Sequence, residues 1–552
     1  MDSMNTQRLL IVGLDGATFD IIKPLAEAGR LPVLATLLQQ GTHGVLQSVQ
    51  PPITPTAWTT VFTGKNPGKH GIFDFQTFDP QTYATSPVRA DRHREKRLWD
   101  LLTEADQPSI ILDVPFTYPP RPFNGIMMTG YGTPRTAGTP FTWPPTLAEE
   151  TPADLRAEIR LALPRHRFDR SMAIVEEWRD IMQGRRRLLR HLVRERDWAL
   201  FFVVFGITDN LAHIFWTFAD PLHPNYASEE GKRFREAFFQ AYEQCDALLG
   251  DLLDWVGPET NVLIMSDHGF GSVYPRQYTF RRLVEGGFVR YKRAPLLAGV
   301  NEWAMRWAMR LYTSTPFFKE LVKRLRPGQA KLVKQTLAAG GLLPTHSAID
   351  PRRSLVLPSE FGLQLWLNRR GRFGHGMLDE DQAHETIARL REFLLADRDP
   401  ITGKPIVRAI YEGRDLYHGA FAAQGPDIVL ELTNFYDPTT RPSAHNGRIE
   451  GGHTPDGVFI AYGPAFRRGD VVAHATLADI APTALYLLGH PIPPDMDGRV
   501  LTDALQPDVL EQTPIKRGET PATFGEIAGG PDFTPDEIRD IEQQLRQLGY
   551  ID

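Results

Sequence analysis

The amino-acid sequence predicts an α/β fold, in which a mostly parallel central sheet is flanked by helices and interrupted by inserted cap regions. Short apolar runs recur along the chain, and each is bounded by Gly, Pro or polar residues. Helical patterns lie between several of these runs, for example around Arg235 to Val256. Buried strands that alternate with helices are typical of parallel sheets covered on both faces. The runs are LLIVGLDG (9–16), SIILDVP (109–115), GIMMTG (125–130), ALFFVVFGI (199–207), NVLIMSD (261–267) and GVFIAYGP (457–464).

The length of 552 residues exceeds one simple hydrophobic core, so two domain-sized units are expected. Two regions interrupt the alternation of strands and helices. The region 134–197 is helical and charged, and the region 281–439 mixes helices with short strands such as SLVLP and LQLWLN. Insertions between strands usually cover the carboxyl edge of the sheet, where ligands bind. We predict a core at 1–133, 198–280 and 440–510, cap regions at 134–197 and 281–439, and a tail with a polar surface helix at 511–552.

Composition and charge exclude several classes of protein. The formal net charge is −6, so no basic excess indicates nucleic-acid binding. A single cysteine, Cys245, excludes a disulfide framework within the chain. The apolar run at 9–14 is too short for a signal-peptide core, and no stretch reaches the length of a membrane span. We therefore expect a cytoplasmic protein.

Two candidate functional residues lie near the start of the chain. Asp15 follows the first predicted strand, where an Asp is either a turn residue or a ligand. Thr54 is placed as the N-cap of a helix, with Pro55 at the first helical position. Unpaired N–H groups at a helix start favour a phosphate, although a capped helix can also be only structural.

Two further candidates lie in FVVFGITDNLAHIFW (202–216). Asp209 and His213 are four residues apart, so on a helix they share one face. This spacing suits two ligands of one metal ion. A capping Asp and a surface His are the alternative.

The remaining candidates adjoin predicted strands near glycines. In NVLIMSDHGFG (261–271), Asp267 and His268 can face one site only if the strand has already ended, because adjacent strand residues point to opposite faces. In EGGHTPDG (450–457), His453 follows two glycines on a predicted loop, where a solvated His is the alternative. Carboxylates and imidazoles together suit zinc, with manganese possible, and two divalent ions would clamp an in-line displacement at phosphorus.

The order Asp, Thr, Asp-x-x-x-His, Asp-His, His resembles that of the alkaline phosphatase superfamily, and in particular its type I phosphodiesterase and nucleotide pyrophosphatase branch. TGKNPGKHGIFDF (63–75) and DIAPTALYLLGHPIPPDMDGRVL (479–501) are similar to segments of that branch. The resemblance implies an alkaline-phosphatase-like sheet and two divalent metal ions. One ion would be held by Asp209, His213 and His453, and the other by Asp15, Thr54, Asp267 and His268. The resemblance also implies that Thr54 is the nucleophile and forms a phospho-threonine, with Thr56 as the second candidate.

Two departures narrow the substrate. Ala57 stands three residues after Thr54, where nucleotide pyrophosphatases usually have an Asn that contacts a phosphate oxygen, so the resemblance does not establish a nucleotide substrate. Sulfatases need a Cys or Ser in a C/S-x-P-x-R motif, and the only cysteine here lies in YEQCDALL. The sequence therefore argues against a sulfatase.

The sequence and the resemblance together predict a metal-dependent phosphodiesterase or nucleotide pyrophosphatase-like enzyme that acts on a small-molecule phosphate ester. A phosphomonoesterase and a catalytically silent metal- or phospho-ligand-binding protein are the alternatives. The basic segment 301–335, with Trp303 and Trp307 at helical spacing, could contact a membrane or a lipid headgroup, or pack as cap helices. The sequence gives no oligomeric state.

Overall fold

The computed structural model describes residues 8–164, 172–292, 349–436, 449–523 and 533–547. The predicted membrane-contact segment 301–335 lies outside these ranges. In the described ranges, no helix combines the length and the apolar character needed to cross a bilayer.

Strands and helices alternate through most of the chain. The strands are β1 (Leu9–Leu14), β2 (Thr42–Gln47), β3 (Gln76–Phe78), β4 (Thr85–Pro87), β5 (Ser109–Val114), β6 (Gly125–Thr129), β7 (Thr142–Trp143), β8 (Leu200–Phe205), β9 (Asn261–Met265), β10 (Gly269–Val273), β11 (Val356–Pro358), β12 (Gln364–Leu367), β13 (Val407–Glu412), β14 (Ile428–Leu432), β15 (Glu450–Thr454), β16 (Asp456–Tyr462), β17 (Asp470–Val471) and β18 (Ala475–Thr476). The α-helices are α1 (Phe19–Glu27), α2 (Pro32–Gln40), α3 (Thr54–Thr63), α4 (Pro67–His70), α5 (Leu98–Glu104), α6 (Leu147–Glu150), α7 (Met172–Glu195), α8 (Ile207–Ala219), α9 (Glu229–Val256), α10 (Arg276–Glu285), α11 (Glu380–Leu395), α12 (Gly413–Leu416), α13 (Ile480–Leu487), α14 (Pro507–Gln512) and α15 (Pro535–Gln547).

The large sheet has ten strands in the order β17-β2-β16-β9-β1-β8-β5-β6-β7, and β18 also pairs with β2. The five central strands, from β9 to β6, are parallel. Strand β16 is antiparallel to both β2 and β9, and β7 is antiparallel to β6. The predicted α/β fold with a mostly parallel central sheet is therefore confirmed.

Both faces of the large sheet are buried, which explains why its central strands are apolar throughout. Alternate residues of β1 point to opposite faces. Leu10 and Val12 pack in one hydrophobic cluster with α1, α7, α8 and α9, whereas Leu9 and Ile11 pack in a second cluster with α3, α5 and α13.

A smaller antiparallel sheet, in the order β11-β12-β14-β13, lies within the predicted cap region 281–439 and has its own hydrophobic cluster with α10 and α11. In the other predicted cap region, 134–197, helix α7 packs in the same cluster as β1 and so belongs to the layers that flank the sheet. The boundaries of core and cap stay predictions.

The helix predicted for the surface of the tail is amphipathic in the structure. Ile541 and Leu545 of α15 are 3% and 1% exposed, and they pack with Ile53, Phe116 and Tyr118. A helix is present in the tail where the sequence predicts one, at Pro535–Gln547. Its apolar side chains recur at helical spacing and pack beside the start of α3.

Candidate active site

Three adjacent parallel strands bring the candidate residues together. Asp15 follows β1, helix α8 with Asp209 begins just after β8, and Asp267 follows β9. Strands β8, β1 and β9 are neighbours, so their carboxyl ends meet at one edge of the sheet. All three carboxylates are buried there, with exposures of 5%, 3% and 0%.

Asp267 and His268 lie in the short gap between two strands. Strand β9 ends at Met265 and β10 begins at Gly269. Asp267 and His268 therefore lie outside both strands, as is required if both side chains are to face one site. A Cβ atom on Gly269 would lie 2.2 Å from the carbonyl oxygen of Asp456, so this close approach of main chains requires Gly. The Nδ1 of His268 lies 2.9 Å from the carbonyl oxygen of Gly269. Because a carbonyl only accepts, Nδ1 carries the proton, and the lone pair of Nε2 faces the site.

Thr54 faces His268 from the start of α3. Its Oγ1 lies 3.4 Å from His268 Nε2, and the side chain is buried. The prediction that Thr54 is the N-cap is wrong by one residue: Ile53 holds that position in extended conformation, and Pro55 is the second helical residue. The Thr54 hydroxyl therefore faces the site instead of capping the helix.

Asp209, His213 and His453 form a second group beside the first. Asp209 Oδ1 lies 3.3 Å from His213 Nε2 and 3.5 Å from His453 Nε2, and the two Nε2 atoms are 2.9 Å apart. The predicted pairing of Asp209 and His213 on one helical face is thus present on α8. His453 lies on β15 and not on the predicted loop, because Glu450–Thr454 pairs antiparallel with β10. A Cβ atom on Gly451 would lie 2.5 Å from that of Trp216, so glycine lets β15 approach α8.

Among the residues that the structure describes, two sets of side chains could each hold a metal ion. One set is Asp209, His213 and His453, and the other is Asp15, Asp209 and His268, with the candidate ligand atoms of each set within 4.8 Å of one another. The second set differs from the one that the resemblance implies, since Asp209 stands in it in place of Asp267. Asp267 remains adjacent, with its Oδ2 3.5 Å from His268 Nε2.

The electrostatics of this edge suit a cation. Burial, and then the neighbouring carboxylates, raise the pKa of Asp15 and of Asp267 well above the usual range. Burial also opposes ionisation of Asp209, yet His213 and His453 hold the pKa of Asp209 well below its usual value. Within the described part of the chain, Asp15 Oδ1 and Asp267 Oδ2 are buried oxygens without a hydrogen-bond partner. Crowded carboxylates and neutral imidazoles are the donor set expected of a divalent metal site.

Two cavities of very different size are lined by residues of this site. A small cavity of about 30 Å³ is lined by Asp15, Thr54, Tyr131, Asp209 and Asn210 among others. A larger cavity of about 340 Å³ lies beside His213 and His453. Its other lining residues include Ile53, Trp216, Tyr274, Arg276, Phe361, Glu431 and Glu450. The larger cavity is within the usual size range of small-molecule sites, whereas the small one has room for roughly two water-sized groups.

Sequence reasoning missed three residues of the site. The Trp58 indole donates to Asp15 Oδ2 at 3.1 Å and so orients this carboxylate. Tyr131 and Asn210 line the small cavity. Of these three residues, only Asn210 could have been found from the sequence, because it directly follows Asp209 on a helix that was already assigned to the site.

Comparisons with known proteins give a family match and several similar solved structures. The sequence model of the family described as Type I phosphodiesterase / nucleotide pyrophosphatase matches residues 9–456. No curated protein matches the chain. Murine ectonucleotide pyrophosphatase / phosphodiesterase 5 is similar in structure, with a TM-score of 0.50 and 13% identity over 91% of this chain and 100% of that chain. The human ectonucleotide pyrophosphatase / phosphodiesterase 5 has a TM-score of 0.48 and 14% identity, with the same coverage of both chains. Phosphonoacetate hydrolase from Sinorhizobium meliloti 1021 has a TM-score of 0.47 and 13% identity over 88% of this chain and 96% of that chain.

Proposed function

The chain belongs to the type I phosphodiesterase / nucleotide pyrophosphatase family of metal-dependent hydrolases that act on phosphate esters, and from this premise we propose that it is a phosphodiesterase whose nucleophile is Thr54. The observation that carries the proposal is the position of the Thr54 hydroxyl, 3.4 Å from His268 Nε2 at the buried edge where Asp15, Asp209 and Asp267 also lie. A hydroxyl beside a cluster of ligand-type side chains is the arrangement that activates a weak nucleophile.

The residues present fit two divalent ions. Asp209, His213 and His453 would hold one ion, and Asp15, Asp267, His268 and the Thr54 oxygen would hold the other. When bound, such ions lower the pKa of a hydroxyl, polarise phosphoryl oxygens and offset the charge of a leaving oxygen. The mixture of carboxylates and imidazoles favours zinc, with manganese as the alternative.

The chemistry of the chain's own residues follows from these positions. The Thr54 hydroxyl loses its proton and its oxygen bonds to phosphorus, while the bond from phosphorus to the leaving oxygen breaks and that oxygen is protonated. Water then attacks the phospho-threonine, which restores the Thr54 hydroxyl and releases a phosphate monoester. The main-chain N–H groups in the first turn of α3 point towards the phosphoryl group and favour its negative charge.

The family supports a diester over a monoester as the substrate, because its description names phosphodiesterase and nucleotide pyrophosphatase. The larger cavity, of about 340 Å³ beside His213 and His453, has room for the organic group of such an ester.

Paired substrates test this proposal. The purified protein is stripped with a chelator and reloaded with zinc or manganese, and hydrolysis of bis-p-nitrophenyl phosphate is compared with that of p-nitrophenyl phosphate. We expect metal-dependent turnover with a higher kcat/KM for the diester. A higher kcat/KM for the monoester would replace the phosphodiesterase with a phosphomonoesterase. Two stably bound ions with no turnover of either ester would favour the phospho-ligand-binding protein.

A further inference from the structure

A buried ion pair forms part of the wall of the small cavity. Asp113 on β5 lines this cavity together with Thr54. Arg185 on α7 donates to both carboxylate oxygens of Asp113, from Nε to Oδ2 at 2.6 Å and from Nη2 to Oδ1 at 2.9 Å. The side chains of Arg185 and Asp113 are only 3% and 6% exposed. A two-pronged contact of this kind fixes the carboxylate as well as pairing its charge.

The main chain of β5 is distorted where it presents Asp113. The register of β5 against β6 shifts between Leu112 and Val114, so Asp113 is the extra residue of a β-bulge. Its φ of 58° lies in the left-handed region, which Asp enters more readily than most residues other than Gly. Bulges beside active sites redirect a side chain. The distortion therefore turns a carboxylate of the sheet into the cavity wall.

Arg185 also holds a second part of the same wall. Its Nη1 donates to the carbonyl oxygen of Glu158 at 2.7 Å, and its Nη2 donates to that of Arg160. Ala162 and Leu163, which follow directly in this segment, line the small cavity. One buried guanidinium thus joins β5 and this segment to α7.

The charge of Asp113 needs this partner. Asp15 and Asp209 line the same cavity, but they are proposed metal ligands, whereas Asp113 is not. Burial raises the pKa of Asp113, and the charge and hydrogen bonds of Arg185 oppose that shift. The cavity of about 30 Å³ has room for roughly two water-sized groups, so water screens a charge there poorly. The titratable or charged groups that contact Asp113 or line this cavity with it are Arg185 of α7, Tyr131 after β6, Asp15 after β1 and Asp209 of α8.

We propose that Arg185 is a positioning residue that fixes and neutralises Asp113, so that the phosphoryl group beside Thr54 meets no uncompensated negative charge in the cavity wall. This inference rests on the proposed function, since it assumes a phosphoryl group in the small cavity. Arginine suits the role because its planar fork matches a carboxylate and keeps its charge at any working pH. Arg185 acts through Asp113 and does not itself contact the substrate.

A double-mutant cycle with zinc-loaded protein tests the charge. At about pH 9, Arg185→Met should lower kcat/KM for bis-p-nitrophenyl phosphate about tenfold, the effect expected of one uncompensated charge at an effective dielectric constant of about 20. The loss should lie mainly in KM, since the charge repels the bound ester as well as the transition state. Adding Asp113→Asn to Arg185→Met removes that charge and should restore most of kcat/KM, whereas a loss caused by packing alone would not be restored.

The pH profile separates charge from packing. In Arg185→Met, Asp113 loses the partner that favours its ionised form, so the pKa of this buried carboxyl rises further. Asp113 is then neutral at low pH and ionised at high pH. The kcat/KM of Arg185→Met relative to the double variant should therefore fall between about pH 6 and about pH 9. A ratio that does not change with pH would overturn the inference. Arg185→Lys keeps the positive charge and should keep the wild-type profile.

Arg97 and Asp100 provide a matched control. They form an equally buried pair on and before α5, with Nε–Oδ2 and Nη2–Oδ1 distances of 2.7 and 2.9 Å, and neither residue lines either cavity. Arg97→Met should lose thermal stability as Arg185→Met does, because each leaves a buried carboxylate without its partner. Its pH profile should match that of the wild type. The same pH-dependent loss in Arg97→Met would show that the effect comes from stability and would contradict the role of Arg185.

Asp113→Asn alone supplies a readout that depends neither on turnover nor on the folding of Arg185→Met. It leaves the charge of Arg185 uncompensated, so the affinity for inorganic phosphate, measured by calorimetry, should rise about tenfold at unchanged zinc content. Unchanged or weaker phosphate binding in Asp113→Asn would overturn the inference. A wild-type protein that hydrolyses no ester would contradict the proposed function, and the phosphate affinities would still test Arg185 and Asp113.

Discussion

The Nδ1 of His453 lies 2.9 Å from the carbonyl oxygen of Pro52, two residues before Thr54. Because the carbonyl can only accept, Nδ1 donates this hydrogen bond, and Nε2 on the other side of the ring lies towards Asp209 and His213. This contact joins β15 to the main chain that leads into α3. One hydrogen bond therefore orients a candidate metal ligand and links it to the segment that precedes the candidate nucleophile.

Replacement of Thr54 tests its role as nucleophile. We expect Thr54→Ala to lower kcat for bis-p-nitrophenyl phosphate by about 10³-fold or more, because no other group at this position can form the covalent intermediate. Thr54→Ser keeps a hydroxyl and should retain measurable turnover. Acid quenching during turnover should trap one phosphoryl group per wild-type chain, and peptide mass spectrometry should locate it on Thr54.

Thr56 provides the matched control for this experiment. It lies on the same helix and is 2% exposed, but it is not among the residues that line either cavity. Thr56→Ala should keep kcat within about threefold of wild type, since only groups that contact the transition state change kcat strongly and Thr56 lines neither cavity. A loss of turnover in Thr56→Ala with retention in Thr54→Ala would exchange the two assignments.

His453 is expected to be required for one of two bound ions. His453→Gln removes the imidazole Nε2 that faces Asp209 and His213 while keeping a polar side chain. After dialysis against zinc-free buffer, elemental analysis should find two zinc ions per wild-type chain and one per variant chain. His418→Gln, which changes an exposed His paired with Asp497, should still bind two ions. Two ions in His453→Gln would exclude His453 as a ligand.

Asp267 should destabilise the metal-free protein and stabilise the loaded one. Its buried carboxylate adds to the repulsion among Asp15, Asp209 and Asp267 when no cation offsets their charges. In Asp267→Asn, the free energy of unfolding of the chelated protein should rise by about 1 kcal/mol. The further stabilisation produced by zinc should shrink, because the variant binds zinc less tightly.

Chemical denaturation with and without zinc measures both effects, and Asp508→Asn on α14, outside the site, is the control. If Asp267→Asn lowers stability in the chelated protein and leaves the zinc-dependent gain intact, Asp267 is a structural residue and not a ligand.

Helix α15 should contribute to stability through its buried face. Leu545→Ala removes a side chain that is 1% exposed and packs in the cluster with Ile53 and Tyr118, so we expect a loss of about 2–4 kcal/mol in unfolding free energy. Gln543→Ala on the exposed side of the same helix should change stability by less than about 0.5 kcal/mol. Equal effects of the two substitutions in denaturant titrations would show that α15 is not docked as described.

The sequence predicted the features that local pattern determines. The apolar runs predicted the central strands. The spacing of Asp209 and His213 predicted that these two side chains lie on one face of a helix. Features that depend on distant contacts were not predictable. His453 lies on a strand only because Gly451 and Gly452 let β15 pair with β10, and a segment reading EGGHT has little strand propensity of its own. Tyr131 joined the site only when the fold placed it among the residues that line a cavity with Thr54.

The position of β16 in the large sheet has a consequence for biosynthesis. Strand β2 joins the central strands only through β16, which pairs antiparallel with both β2 and β9. Strand β16 follows β2 by about 400 residues in the chain, so at ~5–20 residues per second the ribosome needs about 20–80 s to supply it. During this interval β2 has no β16 to pair with, and His453, just ahead of β16, has not been made. A nascent chain therefore contains Thr54 and Asp15 long before it can hold the complete proposed metal site, and we expect hydrolysis to begin only after residues 450–462 have been made.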